Sequence, residues 1–460
     1  MSAPYALHWL EFRVLDWQIL MSDCRCPYDG GDPKRSKIEP YRTAFQADYD
    51  RVIYSEPFRR LARKTQVHPL VPNDHVHNRL THSLEVASVG RSFASMLWDF
   101  FQRTDQVPAD VTADDFRNVL QSACLAHDIG NPPFGHAGEF SIRTWVKDNP
   151  ESIFGDGEFA ISPEVRADWA LFEGNAQGFR LAALPNNTKA GYMRLTYATL
   201  GAMIKYPWTS TDPRADKKKK YNVFSSETSE FQQAFSHMGL HINGQYVRHP
   251  LSFLSEAADD ICYRIADLED AVQMGILDSQ RVCKIFATVC QSEGQNQSNN
   301  DKPNKDKPIG RLRAAAINEF ISGCWTVFEE NYDQIMAGER TEDLAAGLVD
   351  AQKEALQSIK ICYDEIFAHR FKMSTEFGAY RCLGRIASAL CDAARKLCRV
   401  KSYEGLDFPV KRCFDLTFGP EFTRQNEEKS YEWWLHQVLD SVSGMTDNYA
   451  KQFSNDLEGL

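Results

Sequence analysis

Apolar residues recur at the 3.6-residue spacing of helices through most of this 460-residue chain, and seldom at the two-residue spacing of strands. In residues 79–101, Leu84, Val86, Ala87, Val89, Phe93, Met96 and Leu97 form one broad apolar stripe. Residues 116–127 repeat the pattern with Val119, Leu120, Ala123, Cys124 and Ala126. That run stops at Gly130-Asn131-Pro132-Pro133, a strong helix breaker. The same periodicity predicts helices over 251–274, 311–331, 341–367 and 375–400. The fold class is therefore mainly α. Residues 153–163 and 209–226 read as irregular. Residues 291–308, QSEGQNQSNNDKPNKDKP, hold no side chain able to offset their ordering entropy, which predicts a mobile loop. The chain divides into an N-terminal segment (1–50), a motif-rich domain (51–290), this linker, and a helical C-terminal region packing on the core (309–460).

Hydrophobic residues make up 43% and charged residues 25% of the chain, the profile of a globular protein with a sizeable core. The formal net charge of -11 excludes a protein whose whole surface coats nucleic acid. Lys217 to Lys220 form a local basic run, which reads as a solvated loop. No apolar run approaches the roughly 20 residues needed to cross a bilayer. Glu11, Arg13 and Asp16 interrupt the N-terminal apolar positions, so no signal-peptide core is present and a cytoplasmic location is expected. The twelve cysteines are scattered and read as reduced core thiols. Cys24 and Cys26 are too close in sequence for a zinc knuckle.

Three stretches carry chemistry. His82 lies near the start of one helix, and the adjacent pair His127-Asp128 ends another just before the Gly-Asn-Pro-Pro turn. Adjacent side chains converge on one ion only where the backbone turns, and that turn is supplied here. In the helix over 251–274, Asp259, Tyr263 and Asp267 stand at i, i+4 and i+8, so they share a face. Asp259 and Asp260 sit in a segment otherwise apolar enough for a core, and buried acids need a partner. Imidazole and carboxylate donors together suit Mn²⁺, Fe²⁺, Co²⁺, Ni²⁺ or Zn²⁺.

Six ordered blocks between residues 57 and 271 extend these stretches: PFRRLARKTQV, NRLTHSLEV, LAHDIGNPPFGHAGE, FEGNAQ, IKYPW and EAADDICYRIADLEDA. Together they resemble the bacterial deoxyguanosine triphosphate triphosphohydrolases of the HD-domain superfamily. The resemblance implies an HD-type helical core with a helical C-terminal extension. It also implies hydrolysis of dGTP or other dNTPs to the deoxynucleoside and inorganic triphosphate, with Mn²⁺ or Mg²⁺ as cofactor and Co²⁺, Ni²⁺ or Fe²⁺ as other options. The metal ligands it implies are His82, His127, Asp128 and Asp259. The catalytic histidine and its orienting acid are His136 and Glu139. Arg79 would meet a substrate phosphate, and Lys205 and Tyr206 the polyphosphate or sugar. Gln66, Tyr263 and Asp267 would surround the deoxyribose. A homo-oligomer, commonly a hexamer, and single-stranded DNA or a dNTP as effector are further implications. The residues themselves leave two alternatives open: an HD phosphodiesterase or nucleotidase of other specificity, and a regulator that binds nucleotide or single-stranded DNA without hydrolysis.

Overall fold

Local capping boxes fix where two of the long helices begin. Helix α1 (Arg79–Thr104) starts at Asn78, whose side chain accepts from Thr81 N while the Thr81 hydroxyl accepts from Asn78 N. Helix α2 (Ala113–Ala126) starts at an equivalent box made by Thr112 and Asp115. Seven further helices build the body: α3 (His136–Asp148), α4 (Gly174–Ala183), α5 (Pro250–Gln273), α6 (Ile309–Glu330), α7 (Asp350–Ala368), α8 (Arg370–Val400) and α9 (Tyr431–Gly444). This computed structural model describes residues 15–27, 31–36, 39–66, 76–184, 193–290 and 309–459. The expected loop at 291–308 lies outside the described residues, as do residues 1–14 of the N-terminal segment.

The mainly α class is what the structure has. Its described strands are two short antiparallel pairs, Cys24–Arg25 with Lys34–Arg35 and His241–Ile242 with Gln245–Tyr246. Among the described residues no helix is long and apolar enough to cross a membrane. All twelve cysteines are free, and eight of them are buried.

Two apolar clusters form the interior. The first joins α1, α2, α5, α6 and α7 through residues such as Phe93, Leu120, Ile261, Phe320 and Ile359. The second joins α3 to α8 and α9 through Ile142, Val146, Leu383, Leu390, Trp434 and Val438. Helix α4 belongs to both, with Phe179 in the first and Ala176 in the second.

Several predicted boundaries move. Residues 341–349 do not continue the helix expected over 341–367, which begins only at Asp350. The Asp343 side chain accepts from Ala346 N at 2.9 Å, a local bond that competes with helix, and Ala345–Gly347 form a 3₁₀ turn. Leu344 and Leu348 are buried from that turn, so their spacing mimicked a helix face. Helix α8 starts at Arg370, five residues before the predicted 375. The stretches read as irregular each hold one short helix, Pro150–Phe154 entering the first and Pro213–Lys218 within the second, both with Pro in the first turn.

Helix α3 lies against α8 where Gly384 leaves room for Trp145. A Cβ on Gly384 would stand 2.0 Å from the indole. Gly384→Ala therefore forces α8 away from α3 and should destabilise the protein by about 2 kcal/mol, the usual scale of overpacking. A denaturant midpoint equal to that of the wild type would contradict this close packing.

Candidate metal centre

Arg79 and His82 are three residues apart in the first turn of α1, so the capping box at Asn78 aims both along one face. Both are buried, Arg79 at 3% and His82 at 1% exposure. His127 terminates α2, and the chain then turns through Asp128 to Pro133. Gly130 permits that turn, because a Cβ there would meet the α4 backbone at 2.2 Å. The Asp259 carboxylate comes in from α5.

The three elements converge. One nitrogen each of His82 and His127 and one oxygen of Asp128 lie within 4.8 Å of one another. Asp259 Oδ1 is 3.0 Å from His82 Nε2 and 3.4 Å from His127 Nε2, which is itself 3.5 Å from Asp128 Oδ1. His127 Nδ1 donates to the Cys124 carbonyl at 2.6 Å, which turns Nε2 toward the carboxylates. That Nε2 is buried and has no hydrogen-bond partner. A buried, unpartnered imidazole nitrogen facing two carboxylates is what a divalent cation would satisfy, so the donor set fits one.

Cations and amides around the centre offset its burial. Arg79 Nη1 donates to Asp128 Oδ2 at 2.5 Å, the Asn131 amide donates to Asp128 Oδ1, and Lys205 Nζ donates to Asp259 Oδ2 at 3.1 Å. Burial alone would raise the Asp259 pKa, but Lys205 and His127 hold it well below the ordinary carboxylate range. Asp128 is lowered likewise, against its burial, by Arg79 and the two histidines. His127 shows the reciprocal effect: burial opposes its charge, yet Asp128 and Asp259 raise it to about 9.

Helix α3 brings the second pair. Phe134 and Gly135 precede it with φ of 65° and 59°, a strained entry for a phenylalanine. Asp447 holds that entry by accepting from Phe134 N at 2.9 Å. A Cβ on Gly135 would meet Arg79 Nη2 at 2.5 Å. His136 then opens the helix with its side chain 77% exposed, and its Nδ1 lies 3.0 Å from the buried Glu139 Oε2. Glu139 Oε1 accepts from Gly174 N, the first residue of α4, at 2.8 Å. Burial would raise the Glu139 pKa, but Lys220, His136 and Arg143 outweigh it and keep the carboxylate ionised.

One cavity of about 670 Å³ is lined by eleven of the twelve candidates: Gln66, Arg79, His127, Asp128, His136, Glu139, Lys205, Tyr206, Asp259, Tyr263 and Asp267. His82 sits behind them, against Asp259. The structure thus brings the whole set together. The Arg79 guanidinium is no surface ion pair. Asp267 is buried, and Oδ2 accepts from the Tyr363 hydroxyl at 3.0 Å. Tyr263 packs near-parallel to Tyr363, ring centroids 6.2 Å apart.

Sequence reading missed several lining residues. Lys220, read as part of a solvated run, turns inward to donate to Glu173 at 2.9 Å and stands 3.9 Å from Glu139. Lys219, in the left-handed conformation that ends the short helix, separates it from the outward lysines. Glu173 and Asn175 also line the cavity, and the FEGNAQ block was their only signal. Tyr363, Phe367, Lys372 and Glu376 come from α7 and α8, a region without a distinctive pattern.

An HD domain model matches residues 79–160, which run from α1 through α3 into the irregular stretch that follows it. A deoxyguanosinetriphosphate triphosphohydrolase-like protein of Pseudomonas aeruginosa is 37% identical, covering 97% of this chain and 99% of the relative. One from Synechocystis sp. is 34% identical over 97% and 100%. The deoxyguanosinetriphosphate triphosphohydrolase of Yersinia enterocolitica is 28% identical over 91% and 95%.

Two consequences of the geometry can be measured. Asp259→Ala should lose bound Mn²⁺ by elemental analysis after dialysis, whereas His136→Ala should retain it; the reverse pattern would reassign the ligands. Burial raises Asp267 from its ordinary 3.8 to about 7. A raised carboxyl contributes stability below pH 4 that is lost as pH rises through 7. Asp267→Asn should therefore be more stable than the wild type at pH 8, by on the order of 3 kcal/mol, and equal to it at pH 4. Unfolding midpoints at the two pH values decide the matter.

Proposed function

Since this chain belongs to the deoxyguanosinetriphosphate triphosphohydrolase-like family of HD-domain proteins, we propose that it hydrolyses dGTP, or several dNTPs, to the deoxynucleoside and inorganic triphosphate. The observation that carries this reading is the His136–Glu139 pair opening into the same cavity as the His82, His127, Asp128 and Asp259 cluster. A divalent ion there, Mn²⁺ or Mg²⁺, would polarise a phosphoryl oxygen and lower the pKa of water.

The chain's own residues divide the remaining work. The hydrogen bond from His136 Nδ1 to Glu139 leaves Nε2 as the proton-handling atom, and the carboxylate steadies the imidazolium. Water attacks the α-phosphorus, the bond to the 5′-oxygen breaks, and His136 moves a proton between the attacking water and the leaving oxygen. Arg79, Lys205 and Lys220 supply the positive charge that a roughly tetra-anionic substrate needs inside an acidic protein. Tyr206 flanks that phosphate path. Gln66 Oε1 is buried and unpartnered, free to accept from a sugar hydroxyl. Tyr263 and Asp267 face the same space from one side of α5, where a 3′-hydroxyl could donate to the carboxylate.

The discriminating assay supplies each dNTP singly with Mn²⁺ or Mg²⁺ and resolves the products by chromatography. Triphosphate with deoxynucleoside is expected; pyrophosphate or orthophosphate would favour another HD phosphohydrolase activity. His136→Ala should lower kcat by about 10²–10⁴ with metal content unchanged. Salt-dependent DNA binding without turnover of any dNTP would favour the regulator reading instead.

A further inference from the structure

The chain enters α3 through two consecutive residues in the left-handed region, Phe134 and Gly135, and His136 follows directly. Glycine accepts such a backbone readily, whereas phenylalanine adopts it only where its surroundings impose it. Two contacts impose it here. The Phe134 ring is buried in the second apolar cluster, and its N–H donates to Asp447 Oδ1 at 2.9 Å. Asp447 opens helix α10 (Asp447–Asp456) and is only 1% exposed. A carboxylate in a first turn suits the helix dipole without leaving water, so its burial points to partners elsewhere. Its other oxygen, Oδ2, accepts from Thr65 N at 3.0 Å and from the Thr65 hydroxyl at 2.6 Å.

Thr65 lies in a stretch that leads into the opposite wall of the site. It forms an antiparallel bridge with Asn78, the cap of α1, and the neighbouring Lys64 carbonyl accepts from Arg79 N at 3.1 Å. Gln66 follows it in the chain and lines the metal-site cavity. One carboxylate therefore joins the start of α3, which carries His136 and Glu139, to the stretch that presents Gln66 and begins α1. Three donors converge on its two oxygens, and a carboxylate accepts all three because neither oxygen carries a hydrogen. An asparagine of the same shape must turn its NH₂ toward either Phe134 N–H or Thr65, donor against donor.

We infer that Asp447 is a positioning residue for catalysis: it fixes His136 relative to the substrate-binding wall, and the C-terminal region thereby serves the reaction without touching the substrate. The inference rests on the reading of His136 as the proton-handling group. Two measurements on the full-length protein test it, one of them independent of turnover. In nitrogen-15 NMR of histidine-labelled protein, the His136 signal is identified by its loss in His136→Ala. The neutral imidazole of the wild type should sit in one tautomer, protonated at Nδ1 toward Glu139. Asp447→Asn should move that signal toward a mixture of tautomers while Mn²⁺ content stays at the wild-type level. An unchanged His136 signal overturns the inference whether or not the protein hydrolyses dNTPs. In the assay with dNTP and Mn²⁺, Asp447→Asn should lower kcat about 10²-fold, the scale of an ångström-sized misplacement. Introduced into His136→Ala, the same substitution should change the residual rate by no more than about 2-fold, because it acts through the missing imidazole. An equal loss in both backgrounds would give Asp447 a purely structural part and overturn the positioning role. Thr65→Val keeps the side-chain shape and removes one of the three bonds. It carries the same comparisons, with a smaller loss, if the asparagine variant does not fold.

Discussion

Keeping Asp128, Glu139 and Asp259 ionised around one largely buried cavity is the constraint on which the rest of the structure depends. Ionised acids removed from water are tolerated only when each meets a cation or a set of donors. Each has one drawn from a distant segment: Arg79 for Asp128, Lys205 for Asp259, and Lys220 with Gly174 N for Glu139. The pairings fasten α1, α3, α4 and α5 around a single point. They also keep the acids ionised, the state in which a cation is held and in which Glu139 can orient an imidazole. Structural support and chemical competence have the same electrostatic origin here.

A second set of polar links holds this centre against the C-terminal helices. Lys64 joins the Asn131 and Ser443 carbonyls, and Asp447 accepts from Thr65 and Phe134. Through them the turn after Asp128 and the strained entry to α3 are both anchored to α9 and the residues just after it. Helix α4, shared by the two apolar clusters, carries Gln177 and Arg180 to Asp440 on the same helix. The turn after His127 and the His136–Glu139 pair are therefore tied to side chains 260 or more residues away in sequence. Lysine at 64 and aspartate at 447 look unremarkable in a linear reading.

Much of the site was nevertheless legible beforehand. The helix before His127, the breaker after it, and the i, i+4, i+8 face of Asp259, Tyr263 and Asp267 are consequences of local spacing. The ordered blocks located Arg79, His136 and Glu139, and all three line the one cavity. Where local reading failed, a competing local or tertiary interaction explains it. The Asp343 turn replaced a predicted helix start, and the left-handed Lys219 reversed the direction of Lys220.

The sequence by itself determined the mainly α class and where the principal helices run, because periodicity and breakers act between residues a turn or two apart. Only the tertiary structure decided that Lys220, Glu173, Tyr363 and Lys372 share the cavity, that α4 bridges two cores, and that Asp447 meets the entry to α3. Those placements arise from packing between segments far apart in the chain, and no short-range pattern encodes which faces will meet.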